Sequence, residues 1–140
     1  MQEPSSITVR VRYAETDQMG VVYHANYFVW FEMGRVECLR QLGFDYKQME
    51  IDDDCHLPVV EATCRYKAPA RYDEVLTIET RIVALRSGVV KFAYRLLRPC
   101  GEDETQLLAE AQTTHVVVDG RMQKRLLPEK YAAAIRANLA

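Results

Sequence analysis

The chain has 140 residues, with 18 Lys and Arg against 20 Asp and Glu, for a formal net charge of −2. Hydrophobic residues make up 49% and charged residues 27%, a composition that excludes disorder and low complexity. The weak net charge excludes DNA or anionic-membrane binding driven by the overall field of the protein. The length fits one domain over residues 1–140, large enough to fold without a disulfide or metal staple. No apolar run approaches the roughly 18 residues of a membrane span, and residues 1–20 lack a signal-peptide core. A small cytoplasmic domain with no separate cofactor module is therefore expected.

In chain order, Ile7 to Tyr13 alternates apolar and polar residues and is predicted to be a half-buried strand. Residues 14–25 form a polar loop containing Gly20. A helix is predicted from near Asn26, as N-cap, to about Leu42, with Arg40 in its last turn and Gly43 just past its end. Its first half, YFVWFEM, is apolar almost all round, which predicts burial on most faces. Gly34 in its interior costs about 1 kcal/mol relative to Ala and implies close packing against a sheet.

Four further strands follow: Leu57 to Tyr66, Glu74 to Leu85, Val89 to Leu97 and Leu107 to Val118. Arg86-Ser87-Gly88 reads as a tight turn, and Val90, Phe92, Tyr94 and Leu96 share one strand face. Arg98 to Thr105 reads as an exposed loop, and Asp119-Gly120 stops the last strand. Pro128 suits the first turn of a final helix whose apolar stripe is Tyr131, Ile135 and Leu139. The order β, α, β-β-β-β, α predicts an α+β fold in which an antiparallel sheet wraps one buried helix. Its edge strands invite pairing with a second copy.

Cys38, Cys55, Cys64 and Cys100 are scattered without a C-x-x-C pair, so reduced thiols are expected; Cys38 and Cys64 lie in segments that read as buried. His24, His56 and His115 lack metal-ligand spacing, and no metal is expected. Chemistry concentrates in the loop before the helix, Tyr13-Ala-Glu-Thr-Asp17-Gln-Met-Gly20-Val-Val-Tyr23-His24-Ala-Asn26-Tyr27. It places a carboxylate, Asp17, and an imidazole, His24, beside a helix N-terminus, whose unpaired N–H groups can stabilise an oxyanion. These are the parts of a minimal acyl-transfer site. Each also has a structural reading: Asp17 as a turn former, His24 as a helix-start residue, and the Tyr27, Phe28, Trp30 and Phe31 cluster as core. No serine sits in a nucleophile elbow, and no phosphate-binding Gly-rich loop is present.

This stretch resembles the hotdog-fold acyl-CoA thioesterases of the 4-hydroxybenzoyl-CoA thioesterase family, in the branch carrying T-D-x-x-G-V-V-Y-H-x-N-Y. The matching residues are Thr16, Asp17, Gly20, Val21, Val22, Tyr23, His24, Asn26 and Tyr27. The similarity continues through Leu57-Pro58-Val59-Val60, Tyr66-Lys67-Ala68-Pro69-Ala70, Tyr72-Asp73-Glu74 and Leu127-Pro128. The resemblance implies a five- or six-stranded antiparallel sheet around a long helix. It also implies a homodimer or homotetramer with active sites at the subunit interface, and no cofactor. It implies hydrolysis of acyl-CoA, or of acyl carrier protein thioesters, with Asp17 as nucleophile or general base. The backbone N–H of His24 or its neighbours would be the oxyanion donor, and the His24 side chain would orient substrate or assist proton transfer. Tyr23 and Asn26 would shape the site. Lys67, Arg71, Arg86 and Lys91 are candidates for gripping CoA phosphates, beside a plain surface role for each. Two other activities fit the same fold: a dehydratase or isomerase of acyl thioesters, which needs α-proton chemistry, and a non-catalytic acyl-CoA sensor or scaffold.

Overall fold

A computed structural model describes residues 3–139. β1 (Ser5–Arg10) leads through a 3-10 turn at Tyr13–Glu15 and a loop into α1 (Asn26–Gln41). A short α2 (Tyr46–Asp52) follows, then β2 (Val59–Tyr66), β3 (Val75–Arg86), β4 (Val89–Gly101), β5 (Glu104–Val116) and α3 (Glu129–Ala137). The strands form one antiparallel sheet in the order β1-β3-β4-β5-β2, curled about α1. This is the predicted α+β arrangement.

The inner sheet face carries the core. Val90, Phe92, Tyr94 and Leu96 on β4 are all buried, beside Leu76, Ile78 and Ile82 of β3. Phe31 of α1 stacks on Tyr94 with ring centroids 4.9 Å apart. Gly34 is where helix and sheet approach most closely: a Cβ there would lie 2.6 Å from Thr80 Oγ1 and 3.0 Å from Ile78 Cγ2. The close packing implied by a glycine in mid-helix is therefore present. Gly43 follows the helix end with φ of 92°, as its position predicts. On the outer face Arg95 of β4 pairs with Glu79 of β3 at 3.3 Å, and Lys67, just past β2, pairs with Glu110 of β5 at 3.6 Å.

Several expectations are corrected. The first strand ends at Arg10, and Tyr13 leaves the sheet to stack edge-on against Tyr72. Asn26 is the first helical residue, not the N-cap; Ala25 takes that position, and the Asn26 amide donates instead to the Glu15 carbonyl at 2.9 Å. α1 is buried along one stripe, not on most faces: Tyr27, Trp30, Phe31, Gly34, Cys38 and Leu39 are covered, while Val29 and Met33, one turn apart, are 49% and 47% exposed. β2 is an exposed edge strand and Cys64 is only half-buried. The supposed loop at 98–105 is a long hairpin: β4 runs on to Gly101, Pro99 faces Thr105, and Asp103 turns with φ of 58°. α2 carries no strong apolar period; its signal is Asp45, whose side chain caps the Lys47 N–H at 2.9 Å.

Candidate active site

The loop before α1 is a compact, hydrogen-bonded arch. The Asp17 N–H donates to the Val21 carbonyl at 2.9 Å and the Gly20 N–H to the Asp17 carbonyl at 3.0 Å, closing a turn in which Gly20 takes φ of 79°. The Asp17 carboxylate accepts the Met19 N–H at 2.9 Å and is otherwise free of side-chain partners among the described residues. Thr16 and Val22 pair across the base of the arch, and the Val22 N–H donates to the Ala70 carbonyl at 2.8 Å.

Backbone amides at the helix entry are divided between used and free. The N–H groups of Tyr23, Asn26, Tyr27 and Phe28 donate to the carbonyls of Glu15, Tyr23, His24 and Ala25. Among the described residues those of His24 and Ala25 donate to none. Two adjacent free amides at the positive end of α1 are able to donate hydrogen bonds to an oxyanion.

Facing the arch is the turn after β2. Asp17, Met19, Val21, His24 and Tyr27 from one side and Tyr66, Lys67, Ala68 and Pro69 from the other enclose a cleft of about 300 Å³. Tyr66 donates its hydroxyl to the His24 carbonyl at 2.9 Å, and its ring packs edge-on against both His24 and Tyr27. Burial, then the neighbouring Cys64, pushes the Tyr66 phenol up, so it remains a hydroxyl donor. The turn itself is pinned by Arg98, which forks onto Glu74 at 2.7 and 2.9 Å and donates to the Pro69 carbonyl at 2.7 Å. Burial raises the Glu74 carboxyl, but the Arg98 and Arg71 hydrogen bonds outweigh it and hold the group below the usual carboxylate range.

The sequence-derived set thus divides. Asp17, His24 and Lys67 line one cleft. Tyr23 and Asn26 bracket the two free amides, with Tyr23 against the His24 ring at 4.6 Å. Arg71 lies exposed just beyond the cleft. Arg86 and Lys91 sit at the other end of the sheet in the same chain, opposite Val89 and Thr114. Tyr66, Glu15 and Arg98 escape sequence reasoning. Tyr66 stands in a quoted motif but ends a strand, Glu15 reads as a loop acid, and Arg98 as a loop base. Among the described residues there is no His, Cys, Asp and Glu cluster fit to hold a metal.

The other two histidines, Cys38 and the strand acids Glu61 and Glu79 lie outside this cleft. His115 is fully buried, and burial pushes its pKa down to about 4. His56 sits between Asp54 at 3.1 Å and Glu50 at 3.2 Å, and those contacts raise it. Cys38 is buried, and burial pushes its thiol up to about 11. Glu61 is exposed, and Glu79 is engaged with Arg95 on the outer face.

Comparison with known proteins matches residues 11–135 to the model of the thioesterase-like superfamily. The acyl-CoA thioester hydrolase YbgC of Escherichia coli is 37% identical over 129 residues, 91% of this chain and 92% of its own length. The chain belongs to the thioesterase-like superfamily. Within that superfamily, YneP of Bacillus subtilis is 41% identical over 79% of this chain and 77% of its own. A crystal structure from Thermus thermophilus, protein TT1821, superposes with a TM-score of 0.88 at 38% identity, covering 96% of this chain and 98% of the other. The 4-hydroxybenzoyl CoA thioesterase of Pseudomonas shares the hotdog fold at a TM-score of 0.84, with 23% identity over 94% of this chain and 99% of its own.

Proposed function

We propose that this acyl-CoA thioester hydrolase works in the cleft between the Asp17 arch and the Tyr66–Pro69 turn, releasing a free acid and CoA. The Asp17 carboxylate attacks the thioester carbonyl or activates the water that does. Either route puts negative charge on the carbonyl oxygen, and the free His24 and Ala25 amides at the α1 N-terminus donate to it. A thiolate leaves readily, so one carboxylate with aligned dipoles suffices. The His24 imidazole lines the same cleft and orients the substrate beside the departing sulfur. The observation that carries this reading is that one cleft is lined by Asp17, whose carboxylate has no side-chain partner among the described residues, and by His24, whose N–H and that of the adjoining Ala25 are free there.

The active unit is a homodimer or a larger assembly, and the support for it is β2. This edge strand is exposed along almost its whole length, with Val59 48% and Val60 56% accessible. Two-fold pairing of β2 with its copy runs antiparallel. It sets the Tyr66 end of one chain against the Val59 end of the other, whose sheet row continues through His115 to Val90. The partner's Lys91 and Arg86 end would then approach this cleft, joining Lys67 and Arg71 as a phosphate-gripping set that one chain alone does not assemble. No cofactor enters this chemistry. Thiol release measured over a panel of acyl-CoAs tests the reaction. Release from some of them is expected; hydration of an enoyl-CoA without thiol release would favour the dehydratase reading, and tight binding without turnover the sensor reading.

A further inference from the structure

Glu15 is the only buried acid among the described residues, 5% exposed, and the reaction above does not use it. Four bonds converge on it. Its Oε1 accepts the Arg12 N–H at 2.7 Å, and its Oε2 accepts the Trp30 indole N–H at 2.9 Å. Its carbonyl accepts the Tyr23 N–H at 2.9 Å and the Asn26 side-chain amide at 2.9 Å. The Arg12 guanidinium adds a longer contact to Oε2 at 3.5 Å from its exposed side.

These bonds tie together everything the reaction needs in place. Tyr23 and Asn26 flank the two free amides, so Glu15 holds both ends of the oxyanion segment. Trp30 links it to the first turns of α1, and Asp17 lies two residues further along the same backbone. We propose that Glu15 is a positioning residue for thioester hydrolysis: its carboxylate, bonded to Arg12 and Trp30, fixes the distance between the Asp17 carboxylate and the His24–Ala25 amides. The proposal rests on the reading of Asp17 given above. A carboxylate suits the place because both of its oxygens accept and both facing groups are donors. A Gln there offers one acceptor, so its amide NH₂ must meet a donor.

The test is steady-state thiol release by Glu15→Gln, Trp30→Phe, Asp17→Asn and the Glu15→Gln/Asp17→Asn double variant, each with its melting temperature. Glu15→Gln and Trp30→Phe are expected to lower kcat at least tenfold with KM within twofold, when assayed well below their melting temperatures. The double variant is expected to be no slower than Asp17→Asn alone, because Glu15 acts through the placement of Asp17. A folded Glu15→Gln protein with wild-type kcat overturns the proposal, as does an undiminished further loss in the Asp17→Asn background. Should Glu15→Gln not fold, Trp30→Phe decides by the same kcat and KM criteria. Full activity of Asp17→Asn would instead overturn the assignment of Asp17, a separate outcome.

Discussion

At the scale of single residues, the site is defined by what is left unbonded. Asp17 spends one carboxylate oxygen on the Met19 N–H, which fixes its rotamer, and keeps the remaining capacity open toward the cleft. His24 gives its carbonyl to Tyr66 and keeps its N–H free. Tyr66→Phe removes the hydroxyl that orients the His24–Ala25 peptide while leaving the ring against Tyr27. Loss of one such hydrogen bond is worth about 1 kcal/mol, so kcat is expected to fall about 3- to 10-fold with little change in melting temperature. Steady-state kinetics check this, and an unchanged kcat would show that the peptide is held by the loop alone. The closeness of Asp17 and His24 on one cleft was legible in the sequence because one motif holds them within a short stretch. Tyr66 was not, because it is 42 residues from the atom it bonds, and only the docking of the turn after β2 on the loop before α1, seen in the Val22 N–H to Ala70 carbonyl bond, brings the two together.

At the scale of elements, two contacts set how firmly α1 is held. At Gly34 the sheet leaves no room for a methyl group. Gly34→Ala gains about 1 kcal/mol of helix propensity but overpacks Thr80 and Ile78, which costs about 1–3 kcal/mol. The melting temperature is expected to fall, and Thr80→Ala in the same chain should restore part of it. The second contact is a buried chain of hydrogen bonds running from α1 across the sheet. Arg35 donates to the Tyr94 oxygen at 3.0 Å, Tyr94 meets Thr113 at 2.6 Å, Thr113 meets His115 Nε2 at 2.8 Å, and His115 Nδ1 meets the Leu57 carbonyl at 2.8 Å. Arg can only donate and a carbonyl can only accept, so each proton is directed the same way and His115 is neutral with Nδ1 protonated. Below pH 6.5 the unfolded chain takes up a proton that folded His115 refuses until about pH 4. Stability is therefore lost as pH falls through that window, on the order of 3 kcal/mol from this group. Urea unfolding at pH 7 and pH 4.5 should show a smaller acid loss for His115→Gln than for the parent; an equal loss would contradict the neutral buried histidine.

The same elements show where sequence reasoning stops. Alternation identified the inner face of β4 correctly, since burial on one side is a local pattern. It truncated the β4–β5 hairpin because Pro99, Gly101 and nearby acids are loop formers by composition, whereas here they lie where the hairpin projects beyond the core and its residues are exposed. It overstated the burial of α1 and β2 because an apolar side chain reads the same whether it meets this chain's core or, as Val29, Met33, Val59 and Val60 do, lies on its surface.

At the scale of the whole molecule, the proposed assembly rests on the exposed β2 edge and is tested there. Val60→Lys on the β2 edge is expected to shift the protein to monomer in light scattering and to lower thiol release at least tenfold, since an edge charge opposes strand pairing. Full activity in a monomeric variant would show that one chain holds a complete site. The central claim, however, is that Asp17 carries the chemistry, and Asp17→Asn tests it most directly. Asn retains a side-chain oxygen to accept the Met19 N–H, so the arch and the melting temperature should persist while the charge is lost. Thiol release is expected to drop at least about 100-fold; a folded Asp17→Asn protein that hydrolyses acyl-CoA at the wild-type rate would contradict the account.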